Sequence, residues 1–138
     1  MSINSTTVDS VTVEGSFTAV LLSNGIVEIH WHPELEQVEV IHLTKIREIL
    51  FQFGKGKKMP IYFPIKQFVA ISKEARADAA TEEGGIYTLA NAVQLNNKPQ
   101  QLIFNFFMVF NIPKIATRAF TNRKDAFEWL LQLQAAAK

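Results

Sequence analysis

"MPIYFPI", residues 59–65, carries no charge and is apolar almost throughout. A run this short and this apolar reads as a strand buried on both faces, the kind found inside parallel sheets. Pro60 and Pro64 each lack a backbone donor, which confines the pairing and makes the strand irregular. Helical patterns lie on both sides of it. Upstream, Leu43, Ile46, Ile49, Leu50 and Phe53 fall at helical spacing, with Lys45, Arg47, Glu48 and Gln52 opposite. Gly54 and Gly56 stop that helix, and "GKGKK" (54–58) reads as its basic end beside the carbonyl pole. Downstream, the Ser72 hydroxyl is placed to cap an alanine-rich helix, "SKEARADAATEE", which Gly84 and Gly85 end.

Further out the alternation continues. "FTAVLL" (17–22) and "GIVEIHWH" (25–32) form a hairpin across Ser23, Asn24 and Gly25. "ELEQVEVI", after Pro33, contains a short extended piece. "IYTLANAVQL" (86–95) is a strand whose small Ala90 and Ala92 leave room for a helix. A third helix is expected over roughly 99–111 and is broken by Pro113. "IATRAFT" (115–121) is the last strand. Thr121 or Asn122 then caps a final helix bearing Phe127, Trp129, Leu130, Leu131 and Leu133. The order β-β-α-β-α-β-α-β-α implies an α/β fold, with a sheet that is mostly parallel after an N-terminal hairpin. Residues 1–14 are expected to be a flexible leader and 15–138 a single domain.

The third helix holds "NFFMVF" (105–110). At 100° per residue, Leu102, Ile103, Phe106, Phe107, Val109 and Phe110 share a broad side suited to a sheet. Phe104 and Met108, four apart, lie together on the other side. That pair is either covered by a neighbouring helix or a contact for a partner, a second subunit or an apolar ligand. Asn105 needs amide partners if buried, and is expected to tie the helix to nearby backbone.

Composition excludes several function classes. Fourteen basic against thirteen acidic residues give a formal charge of +1, without the clustered cations that nucleic acid demands. There is no cysteine, hence no disulfide, thiolate nucleophile or cysteine zinc site. The longest apolar segment, "LIFNFFMVF", is far shorter than the ~20 residues of a spanning helix. "MSINSTTVDS" is no secretory signal, and a cytoplasmic location is expected.

Candidate chemistry is sparse. Glu28, His30 and His32 alternate along a strand and so project from one face, a weak candidate for a divalent metal. One strand sets neighbouring members ~7 Å apart along its axis, so another element would have to close the site; a solvated strand face is the plainer expectation. Glu74, Asp78 and Glu82 form an acidic line at i, i+4 and i+8, read as a solvated face. No nucleophile elbow, dinucleotide fingerprint or phosphate loop is present. Neither cofactor nor enzymatic activity is expected.

Taken together, "NFFMVFNIPKIATRAFTNRKDAFEWL" (105–130), "ISKEAR" (71–76) and "IYTLANAV" (86–93) resemble an uncharacterised bacterial family with the SpoIIAA-like fold. The likeness rests on Asn105-Phe106-Phe107, Asn111 with Pro113, Thr117 leading to Phe120, and Ala126 to Leu130, and it spans about residues 16–133. STAS domains and CRAL-TRIO lipid-transfer domains share that fold. The resemblance implies a right-handed βα superhelix with helices mainly on one sheet face. STAS antagonists of anti-sigma factors carry a phosphorylatable serine at the position matching Ser72. Here "VAISKEA" stands where their Asp and Gly would be, so a simple cap is expected at Ser72. The function implied is a non-catalytic STAS-like protein-interaction or regulatory module, with a protein partner or self-association as a homodimer. The alternative is a site for a small apolar or lipid-like ligand, against which a chain of 138 residues leaves little volume.

Overall fold

The structure is a computed structural model that describes residues 5–66, 69–100 and 115–137. Eight strands and three helices follow one another among these residues. They are β1 (Thr7–Val13), β2 (Phe17–Leu22), β3 (Val27–Trp31), β4 (Gln37–Val38), α1 (Val40–Gly54), β5 (Met59–Pro64), β6 (Ala70–Ile71), α2 (Lys73–Ala79), β7 (Thr88–Gln94), β8 (Thr117–Phe120) and α3 (Arg123–Ala136). Six strands form one sheet in the order β1-β2-β3-β5-β7-β8, while β4 and β6 make a separate short pair. The first three strands are antiparallel and every later neighbour is parallel. Strands that add in sequence, with crossovers of one hand, place their connections on one face. Accordingly α1 and α2 share a face, joined by the Arg47–Asp78 ion pair at 2.7 Å. The C-terminal α3 covers the other.

This layering accounts for the composition of β5. Ile61 packs toward α1 with Phe17, Ile29 and Leu50, while the adjacent Tyr62 packs toward α3 with Phe127 and Leu130. Strand β7 follows the same logic: Ala90 and Ala92 are fully buried beneath α3, where only small side chains admit a helix that close. Pro60 is tolerated at a register shift beside Met59.

Caps fix the helix ends. Ser72 Oγ accepts the Ala75 N–H at 3.0 Å, and Asn122 Oδ1 accepts that of Asp125 at 2.8 Å. Lys55 ends α1 in the left-handed region at φ 54°, followed by Gly56 at φ 91°. Helix α1 begins at Val40, a turn earlier than its apolar periodicity suggests, with the Glu39 N–H donating to His42 Nδ1 at 2.8 Å. Helix α2 is shorter than expected and stops at Ala79. Glu82 therefore falls outside it, and Asp78 is engaged by Arg47, so the acidic line is not one helical stripe.

Two further expectations are corrected. Residues 7–13 are not a flexible leader but the edge strand β1, because "TVDSVTV" is β-branched enough to pair with β2 despite its polarity. The face carrying Glu28 is not wholly solvated: Val27, Glu28 and Ile29 are all buried, since α3 lies over the side expected to be wet. Of the helix expected over 99–111, residues 101–111, with Phe104, Asn105 and Met108, lie outside the described residues.

Candidate functional site

Three features stand out: a charged latch, an apolar cavity and a surface groove. The latch gathers where β7 and β8 end and α3 begins. Glu28 projects from β3 toward α3 and is only 7 % exposed. His30 Nε2 lies 2.8 Å from Glu28 Oε1, and an Arg123 guanidinium nitrogen lies 2.5 Å from Oε2. The guanidinium also stacks over Phe127 at 4.1 Å and Tyr62 at 5.3 Å. Tyr62 in turn donates its hydroxyl to Gln94 Oε1.

Burial would push the Glu28 carboxyl up, but the His30 hydrogen bond and the Arg123 charge outweigh it and hold the group below its ordinary value. Burial raises the Tyr62 phenol. Every member of this cluster is thus engaged by another. Its chemistry is that of a tie between α3 and the sheet. His32 does not join it: Nε2 lies 2.8 Å from Thr18 Oγ1, which is 3.2 Å from Thr12 Oγ1. Among the described residues no group of three His, Asp or Glu is placed to hold a metal ion.

The cavity lies between the α1/α2 layer and the sheet, with a volume of about 310 Å³. Apolar side chains such as Leu50, Phe63 and Val93 line it, with Asn91 and Thr117 as polar points. Gln100 and Ile115, the described residues on either side of 101–114, also line it. Its volume reaches the lower end of the range for small-molecule sites, ~300 Å³.

The groove runs along the outer side of α1. Phe51 is 50 % exposed and Ile86 46 %. Phe51 and Tyr87 meet at 5.3 Å between ring centroids, with Thr44, Gln52 and Glu83 among the polar residues around them. Sequence periodicity offered a signal here, because Phe51 falls on the polar side of its helix with Arg47 and Glu48. Arg123 was signalled too. A cation in the first turn of a helix opposes the dipole and calls for a carboxylate, and Glu28 supplies it. Ser72 is engaged as a cap, and Phe104, Asn105 and Met108 lie outside the described residues.

Residues 20–134 match the family described as "Domain of unknown function (DUF7793)". No curated protein matches the chain. Among solved structures, the chain is similar to an uncharacterised protein of the DUF3478 family with a SpoIIAA-like fold from Shewanella loihica PV-4. Identity is 14 %, the TM-score is 0.50, and 94 % of this chain and 98 % of that one are covered. A second, from Arthrobacter sp. FB24 and of unknown function, is 22 % identical at a TM-score of 0.31, over 87 % and 95 % of the two chains. The first likeness establishes a SpoIIAA-like fold. No helix among the described residues is long and apolar enough to cross a membrane.

Proposed function

The chain belongs to the DUF7793 family, and from that premise we propose that it is a non-catalytic, cytoplasmic, single-domain regulatory module that acts by binding protein. The observation that supports this best is the groove in which exposed Phe51 and Ile86 adjoin Tyr87. Single exposed apolar residues are ordinary, but an aromatic and an aliphatic side chain sharing a polar-rimmed groove are what a partner's apolar residues would cover. Phe104 and Met108, with Asn105, are proposed as further contacts on sequence grounds.

A photo-crosslinking side chain at position 51 tests the reading in cells. A discrete heavier adduct is expected, weakened by Ile86→Glu and absent when the crosslinker replaces the exposed Glu34. No adduct, or the same adducts from both positions, would contradict it.

A second reading is favoured by the cavity, whose volume and lining suit a small apolar ligand. Native mass spectrometry of the freshly purified chain separates a bound molecule from the chain's own side chains. A stoichiometric added mass supports the ligand, and the bare chain alone counts against it.

A further inference from the structure

We propose that β1 is a docking edge for a second copy of this chain, joined by antiparallel strand addition. The proposal is independent of the groove on α1. The sheet has two edges, and they differ in how they are guarded. Strand β8 is four residues long, and its Arg118 guanidinium lies 5.1 Å over the Phe120 ring. Strand β1 is seven residues long, "TVDSVTV", with no lysine, arginine, proline or glycine. Natural edges are blunted by short length, cations, proline or bulges. Here one register shift, between Thr7 and Asp9, disturbs the first pair, and from Asp9 to Val13 the strand is in register with β2. Among the described residues the regular part has no partner strand on its outer side; the Ser10 N–H is held by the Asp9 carboxylate at 2.8 Å, and an antiparallel strand would take over that donor and satisfy the other outward N–H and C=O groups.

The side chains indicate which strand fits. On the α1 face Ile29, Ala19 and Val11 lie side by side across β3, β2 and β1. The first two are fully buried, and Val11 packs against that core while remaining half-buried at the edge. This apolar row is cut off at β1. A two-fold axis through Val11 continues it with Val11 of the second copy. The same register sets Ser10 opposite Thr12 of the second copy, a hydroxyl pair of a kind that favours strand pairing. Asp9, the one charge in β1, meets Val13 and not another Asp9. A formal charge of +1 gives two copies little long-range repulsion.

Sedimentation velocity across a concentration series tests the proposal. The wild type is expected to form a species near twice 15.6 kDa. The double variant Ser10→Lys/Thr12→Lys sets introduced ammonium groups against each other across the seam. It should dissociate at concentrations at least about tenfold higher, with an unchanged circular dichroism spectrum. A wild type that stays monomeric overturns the proposal and leaves the groove untouched as a site for another protein. A dimer that survives the lysine variant but not Phe51→Glu also overturns it, and assigns association to the groove. If the lysine variant fails to fold, hydrogen exchange on the wild type decides. Protection of the amides of residues 9–13 should rise with protein concentration, and protection that does not change is a refutation.

Discussion

Arg123 holds one end of α3 to the sheet by charge and by stacking, on Glu28 and on Phe127. Arg123→Ala removes both contacts and leaves a nearly buried carboxylate with the His30 ring as its hydrogen-bond partner. Guanidinium exposure moderates the cost, and the variant should lose about 2 kcal/mol by urea unfolding. Arg123→Lys keeps the charge but not the planar stacking, and should recover only part. The acid limb follows from the same carboxylate. Folded Glu28 titrates below its ordinary 4.5, so on acidification the unfolded chain takes up that proton first. Its contribution is therefore complete above 4.5 and is lost as pH falls through the lower folded value. The urea midpoint of the wild type should drop more steeply below pH 4.5 than that of Glu28→Gln. Parallel slopes would show that Glu28 gains nothing from its partners. Little of this was legible in the sequence, because "VEIHW" alternates like a half-wet strand and its cover comes from α3.

At the scale of elements, local chemistry carried much further. The hairpin at Ser23–Gly25, the caps at Ser72 and Asn122, and the buried β5 each follow from residues adjacent in the chain. The fate of Ala90 and Ala92 was equally readable, since small residues in a strand announce a close approach. Ala92→Leu should overpack the β7–α3 seam and cost about 1–3 kcal/mol. Leu130→Ala, opening a void in the same layer, should cost about 2–5 kcal/mol. Thermal or urea unfolding checks both, and a near-neutral Ala92→Leu would mean that the seam has slack. Strand β1 was missed because hydroxyl-rich β-branched sequence resembles a polar tail until β2 lies alongside to pair with it. The early end of α2 is local: the Thr81 N–H and hydroxyl both donate to the Asp78 carbonyl, and the Thr81 hydroxyl accepts the Gly84 N–H, where an added Cβ would lie 2.0 Å from the same carbonyl.

For the whole molecule, the order of strands and helices already implied a parallel α/β sheet, and the SpoIIAA-like likeness agrees with it. Surfaces are a different matter. Which apolar side chains end up outside depends on how layers meet: periodicity sets Phe51 on the polar side of α1, but that Ile86 and Tyr87 adjoin it shows only in the folded chain. On the proposed reading this outer groove is occupied by protein in the cell. Carbene footprinting of the purified chain and of the same chain in living cells tests it most directly. Phe51 and Ile86 should label strongly when pure and be protected several-fold in cells, while exposed Val8 is followed separately and buried Phe17 and Phe127 stay silent in both. Equal labelling of Phe51 and Ile86 in the two settings would mean that no protein covers the groove.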